Sequence, residues 1–428
     1  METSKYAPSR SRPVLAPLNS RHLAIERGFR AAHGRLIAAL IRRFGVDQLA
    51  LIESAVQDAG LRALERWSAE GEGATLEGWL LRVAHNGVVD ALRRERRNVP
   101  LSEQHAGVAE PLAPQLDDEL CLIFLSCHPA LPRAAQIALT LRVGYGFSTA
   151  QIARAFLTDE RAIAQRIVRA KQRLREEGTQ FELPEPDEVP SRLRPILDVL
   201  YQVFTEGYAT TDSEAGIDDA LCNESLRLIR LLTDDERWTS PAAEALRALF
   251  CFHIARAQAR TAEDGSLVLL HEQDRARWDP ELIAEGFVFL ARSARGQEVS
   301  RFHLEAGIAG SHAKAANYAS TDWAEIVAFY DVLRETSPSP VVDVNRALAV
   351  AMHSGAVAGL DELDAIPERE LLARYPYALA TYAELHASLG HLAEARNFLD
   401  RALDQQTSPP ERALLRRKRA ALGRPDAD

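Results

Sequence analysis

A chain of 428 residues, 46% hydrophobic and 26% charged, has the composition of an ordinary globular protein with room for roughly two to four domains. No apolar run approaches the about 20 residues that a bilayer span needs, so a membrane-spanning helix is excluded. The formal net charge of −10 is shared unevenly: residues 21–177 carry +3 and residues 178–428 carry −15.

Strand signals are nearly absent, and Ala, Leu, Arg and Glu dominate, which predicts an all-α protein. Residues 1–20, with Pro8, Pro13 and Pro17 among several Ser and Arg, lack a signal peptide's apolar segment. They read as a disordered tail, and cytoplasmic residence is expected. Residues 21–70 show helical periodicity, with Leu36, Ile37, Leu40, Ile41 and Phe44 inward and Gly45 as a C-cap. The next helix, over 47–67, places Ile52, Ala55, Val56 and Ala59 on one face; its outer face is expected to show Glu53, Gln57 and Asp58, an acidic surface for a basic partner.

A third helix begins at Thr75. Trp79, Leu80, Val83, Val88 and Leu92 are its apolar anchors, and Arg82, Asn86, Asp90, Arg93 and Arg97 form a second, polar line. Four arginines (Arg93, Arg94, Arg96 and Arg97) at its end exceed what a helix dipole requires and suit phosphates. A polar linker over 99–116 follows. Cys121, Cys127, Cys222 and Cys251 contain no C-x-x-C pair and are read as buried thiols in a reducing compartment, with no metal at Cys121, Cys127 and His128.

The strongest local signal spans Ser148–Arg175. Ser148 followed by Gln151 is a capping box, so a helix starts there and carries Ile152, Ala153 and Phe156 inward, stopping near Leu157. Thr158 and Asp159 are N-caps for a second helix, in which Ile163, Ile167, Ala170 and Leu174 make a single apolar stripe. The opposite face holds Arg161, Gln165, Arg169 and Gln172, flanked by Arg166 and Arg173. From Arg133 to Arg175 nine cations face two carboxylates, a local reversal of sign that marks a polyanion site. The pattern is a helix-turn-helix whose second helix enters a major groove.

The segments VQDAGLRALERW (56–67), WLLRVAHNGVVDALRRERR (79–97) and ALTLRVGYGFSTAQIARAFLTDERAIAQRIVRAKQRLR (138–175) resemble regions 2 and 4 of a bacterial RNA polymerase sigma factor of the extracytoplasmic-function type. IFLSCHPAL (123–131), VLYQVFTEGYA (199–209), LVLLHEQDRARWD (267–279), FHLEAGIAGSHA (302–313) and SPVVDVNRALAVA (339–351) resemble the group with a long C-terminal extension ending in tetratricopeptide-like helices. The resemblance implies region 2 over 21–98 and region 4 over 117–178. Its expected partners are promoter DNA and core RNA polymerase, reached through the β′ clamp helices and the β flap. Glu53, Gln57 and Asp58 would meet the clamp helices. Arg82, His85, Asn86, Arg93, Arg94 and Arg97 would hold the −10 element, where a base leaves the stack. Ser148, Thr149, Arg161, Ala162, Gln165, Arg166, Arg169 and Arg173 would meet the −35 element, arginine pairing with guanine and glutamine with adenine. Gly60 and Gly87 stand where family members often carry bulkier residues, an expected cost of about 1 kcal/mol each relative to Ala.

A Pro-rich linker is expected over 179–190, since Pro184, Pro186 and Pro190 oppose a continuing helix, then an all-helical extension over 191–335. His271, Glu272, Asp274 and Asp279 are close in sequence but read as a loop whose charges pair with Arg275 and Arg277. His303, Glu305 and His312 read as buried packing polars, and Asp322-Trp323 and Tyr330 as packing. No catalytic residue, metal or cofactor is assigned. Over 336–421, Ala347, Gly355 and Leu360 recur as Tyr382, Gly390 and Ala395 at an offset of 35, near the tetratricopeptide period of about 34, which predicts stacked helix pairs able to receive a protein partner. Two other functions fit parts of this pattern: a one-component repressor with a sensing rear half, marked by a dimer on palindromic DNA, and a hydrolase-like rear half using His271 or His303.

Overall fold

The computed structural model describes residues 20–67, 75–96, 116–155, 158–208, 219–262, 266–406 and 409–423. The predicted tail and 99–116 linker lie outside these apart from Ser20 and Leu116, as do Arg97, Phe156 and Leu157. Among the described residues the secondary structure is helical, and the sole extended pairing is an isolated bridge between Thr261 and Leu267. No helix there is long and apolar enough to cross a membrane. The chain forms two units, one running to Leu122 with Val143–Gly146 and Arg175–Glu182, the other comprising Ile123–Arg142, Phe147–Leu174 and everything from Leu183.

The first unit is built on α1 (Ser20–Phe44), α2 (Leu49–Arg66) and α3 (Leu76–Arg96), each packed on the other two. Leu36, Ile37, Leu40 and Ile41 of α1 are fully buried, and α1 ends as expected where Gly45 N–H donates to Ile41 O at 2.7 Å. Thr75 Oγ1 accepts from Gly78 N at 3.1 Å to start α3, and the Trp79 ring meets Trp67 at 5.8 Å, tilted by 60°.

Of the two suspect glycines, only Gly60 is required by packing. A Cβ on Gly60 would lie 2.8 Å from the Phe29 ring, so only hydrogen at this position lets α2 close on α1. At Gly87 the nearest atom, Ala55 Cβ, is 3.4 Å away, ordinary contact. Gly60→Ala is therefore expected to cost about 1–3 kcal/mol by overpacking, whereas Gly87→Ala should be neutral or stabilise by up to about 1 kcal/mol through helix propensity. Urea melts of the two variants, compared side by side, check the difference in sign.

In the second unit, α4 (Leu116–Ser126, of which Ile123 onward belongs here) and α5 (Arg133–Leu139) precede a π-helical turn at Thr140–Gly144, then α6 (Thr149–Ala155) and α7 (Glu160–Glu176). The extension continues through α8 (Val189–Tyr208), α9 (Asp219–Thr233), α10 (Pro241–Ala255), α11 (Pro280–Ser293), α12 (Arg301–Lys314) and α13 (Trp323–Thr336). Helix α8 begins inside the stretch expected to be a linker: Pro190 lies in its first turn, where no N–H is needed. Helix α10, buried along nearly its whole length, is the hub on which α9, α11 and α12 pack. At its centre Arg247, with a side chain 8% exposed, donates from Nε to Glu285 Oε1 at 2.8 Å and from Nη1 to Thr233 Oγ1 at 2.9 Å; its guanidinium lies 3.7 Å from the Phe289 ring centroid.

The last helices are α14 (Pro340–Ser354), α15 (Ala356–Asp364), α16 (Arg369–Leu372), α17 (Pro376–Ser388), α18 (Leu392–Gln405) and α19 (Pro409–Ala421). Helices α14–α15 and α17–α18 form two hairpins whose turns carry Gly355 at φ 96° and Gly390 at φ 80°, a conformation that favours glycine, at the offset of 35 read from the sequence. Ala395 and Ala402 are fully buried, while Phe398 packs at the edge of that core and stacks on Tyr382 at 4.8 Å.

Candidate nucleic-acid interface

The capping box forms as read: Ser148 N–H donates to Gln151 Oε1 at 2.9 Å and Gln151 N–H to Ser148 Oγ at 3.1 Å. Asp159 caps α7 by accepting from Ala162 N–H at 3.0 Å, and Thr149 Oγ1 donates to Glu160 Oε1 at 2.8 Å, tying the first turns of α6 and α7 together. Thus Ser148, Thr149 and Ala162 set the geometry of the corner. Ile163, Ile167, Ala170 and Leu174 are buried, which fixes the rotation of α7 and turns Arg161, Gln165, Arg169, Gln172 and Arg173 to solvent, with Arg166 half-buried beside them. Arg161, Arg166 and Arg169 make no ion pair to a described residue, so their charge is available to an external polyanion. Sequence reading missed Val168. It is 63% exposed and falls on the line Arg161, Gln165, Val168, Gln172, a spacing that could have revealed it.

On α3, Arg82, Asn86, Asp90, Arg93 and Arg94 are exposed along one side, and the half-buried His85 ring lies 5.4 Å from Phe44 with Nδ1 3.5 Å from Asn86 Oδ1. Arg94 Nε donates to Asp90 O at 3.2 Å, and Arg93 lies 3.9 Å from Asp90 Oδ1, contacts long and exposed enough to be exchanged for phosphates.

The acidic face of α2 differs from expectation. Glu53 is 6% exposed, because it follows Leu49 by four residues and precedes Val56 by three, which puts it on the edge of the buried stripe. Gln57 is half-buried and Asp58 exposed. The outward line runs Ala50, Ser54, Asp58, Leu61, Glu65, and Leu61, 63% exposed, is an apolar member that sequence reading overlooked.

The carboxylates of the 271–279 segment do not pair with its arginines. Asp274 accepts from Ala276 N–H and Asp279 from Glu281 and Leu282 N–H as caps, and Glu272 meets Arg417 at 2.9 Å; Arg275 and Arg277 instead donate to backbone carbonyls, Arg275 to Ala315 O at 2.7 Å. Asp322 likewise caps α13. His303 Nδ1 accepts from Ser300 N–H at 3.1 Å, an N-terminal cap of α12. All four cysteines are buried and outside any disulfide among the described residues, and burial pushes the Cys127 thiol up to about 11 and the Cys121 thiol up to about 12, the latter helped by Asp118 and Asp117.

Two DNA-suited surfaces, a capped helix-turn-helix and an arginine-bearing three-helix bundle, coincide with two family models: residues 29–98 match sigma-70 region 2 and residues 121–174 match sigma-70, region 4. The chain belongs to the sigma-70 family. As a sigma factor it is a DNA-binding protein of transcription initiation that works with RNA polymerase, and it carries a long C-terminal extension. Residues 192–294 of that extension match a family of unknown function (DUF6596). An uncharacterized protein of Rhizobium meliloti (strain 1021) is 36% identical to this sigma factor over 397 residues, 90% of this chain and 93% of that protein, so the similarity runs through the extension as well. No solved structure matches the chain.

Proposed function

We propose that this chain is an extracytoplasmic-function sigma factor of the cytoplasm that brings core polymerase to promoters through −10 and −35 elements, with its extension acting in cis. The observation that carries the reading is the solvent-facing line of α7, cationic and free of ion pairs at Arg161 and Arg169. Arg161, Gln165, Arg166 and Arg169 read bases and phosphates of the upstream element, and Val168 suits a thymine methyl group. On α3, Arg82, Arg93 and Arg94 hold the backbone of the opened strand while His85 and Asn86 offer polar edges to an unstacked base; Arg97 continues this charge in sequence. Asp58, Gln57 and Leu61 meet the β′ clamp helices, the region 4 unit meets the β flap, and the tetratricopeptide-like hairpins of α14–α18 receive a protein partner.

Arg161→Ala or Gln165→Ala is expected to weaken discrimination at one upstream base pair by about 1–3 kcal/mol. Co-purification of core polymerase should stay unchanged in both variants. Gel-shift titration of the reconstituted holoenzyme on single-base promoter variants measures the first, and pull-down of core polymerase the second; a loss of polymerase binding together with DNA preference would remove this assignment.

The extension has a structural route to act in cis. Arg192 Nη2, on α8, donates to Phe124 O at 3.1 Å, and Arg133 Nη1 donates to Pro195 O at 2.6 Å. Phe124 is 1% exposed and meets Trp238 at 5.7 Å. These contacts favour an extension that supports the helix-turn-helix over one that masks it.

A further inference from the structure

The extension forms a solvent-open chamber of about 860 Å³ between α8, α10, α12, α13, α14, α17 and α19. Packed interiors leave few voids larger than a water molecule, whereas this volume falls in the range of small-molecule sites, about 300–1,000 Å³. Its wall is unusually aromatic, with Trp278, Tyr318, Trp323, Tyr330 and Tyr377 all contributing.

The charge balance of the wall is one-sided at one place. Arg256 has no carboxylate partner among the described residues: it donates to His253 Nδ1 at 3.3 Å and lies 5.7 Å from the Tyr208 ring. Burial, and then Arg256 itself, hold His253 well below its ordinary value and His312 down to about 4, so both imidazoles are neutral near pH 7. The carboxylates that line the chamber are already engaged by other residues of its wall. Glu384 pairs with Lys418 at 2.8 Å, and Glu305, raised by burial, is hydrogen-bonded to Tyr201. Two buried polar atoms of lining residues, Trp278 Nε1 and His312 Nδ1, have no hydrogen-bond partner within the described protein. A half-buried cation without a carboxylate partner and a buried donor without an acceptor, both on the wall of one chamber, leave polar groups that an acid group entering it would satisfy.

We propose that this chamber binds a small organic anion with an aromatic body, its acid group taken by Arg256 and the Trp278 Nε1–H and its ring lying among Tyr318, Trp323 and Tyr330. The extension is then a ligand-binding module on a transcription factor, a role that does not depend on which promoters the chain reads.

Isothermal titration of the full-length protein with benzoate, 4-hydroxybenzoate and indole-3-acetate, each against its neutral amide, tests it. At least one acid should bind with unit stoichiometry, and its amide should bind at least about tenfold more weakly, the worth of a charge-assisted hydrogen bond. Arg256→Gln should weaken the acid by a similar factor and leave the amide unchanged. Ala309→Phe, which fills the chamber without altering a charge, should abolish binding of both while the melting transition persists. If Arg256→Gln does not fold, Trp278→Phe, which removes the Nε1–H together with the five-membered ring, should still weaken the acid several-fold more than its amide. No saturable heat from any acid up to about 1 mM, equal affinity for acid and amide, or unchanged binding in Ala309→Phe would each overturn the proposal.

Discussion

Deleting the chain from about residue 185 onward is expected to abolish promoter-directed transcription rather than raise it. The truncation removes Arg192 and Trp238, which cover the backbone and ring of Phe124, and the α8 carbonyl that receives Arg133. Exposing one buried aromatic of this kind costs about 1.5–3 kcal/mol, a large fraction of what a unit of some 55 residues can hold in reserve. The acidic extension also carries −15 against the +3 of residues 21–177, so electrostatic masking of the DNA-reading half is the competing account. The two predict opposite signs. Transcript yield from a cognate template, compared for the full chain, the truncation and the milder pair Arg133→Ala and Arg192→Ala, separates them: scaffolding requires graded loss through the series, and any gain over the full chain would establish masking instead.

Glu285→Ala should be the most damaging single substitution in the extension. Glu285 accepts from Arg247 at 2.8 Å and from Arg230 Nε at 2.9 Å, and Arg247 is buried on the hub helix α10 with Thr233, Asp234 and Phe289 as its other neighbours. Removing Glu285 leaves the buried Arg247 only the exposed Asp234 as counter-charge, a loss of up to about 3–5 kcal/mol. Burial alone would raise the Glu285 carboxyl, but hydrogen bonds from Arg230 and Arg247 outweigh it and hold the group below its ordinary 4.5. A depressed acid contributes stability that is fully present above the unfolded value and is lost as pH falls through the folded one. The wild-type extension should therefore weaken below pH 4.5, and Glu285→Gln should lack that component of the acid limb. In a chain of two compact units a single global melt does not report on one helix, so amide hydrogen exchange across α10 is the right measure. Unchanged protection of α10 in Glu285→Ala would show that the ion-pair network is not what fixes the hub.

Local periodicity made much of the fold legible. The Ser148–Gln151 capping box, the Asp159 cap, the stripe through Ile163 and Leu174, the Gly45 stop and the 35-residue recurrence of Gly355 and Gly390 all depend on neighbours within one or two helical turns, or on a repeat of them. What escaped depends on which helix packs where. Glu53 looked exposed because a helical wheel drawn for α2 alone does not show how wide a stripe α1 and α3 cover together. Gly60 looked like a weakness until Phe29, thirty-one positions away, filled the space. Asp274 and Asp279 looked like partners for Arg275 and Arg277, yet each carboxylate satisfies the nearest free N–H groups, while the longer arginines reach carbonyls of other segments. The chamber was out of reach altogether: its wall is drawn from Tyr201 to Lys418, and each of those residues taken singly is an ordinary packing residue.

The most direct measurement is run-off transcription with purified core polymerase and the full-length chain on a promoter template. Specific transcripts that need the chain, and that fall when Arg161 or Arg93 is replaced by alanine, are the predicted result. Failure to associate with core polymerase, with the chain binding palindromic DNA as a dimer, would contradict it and identify a repressor.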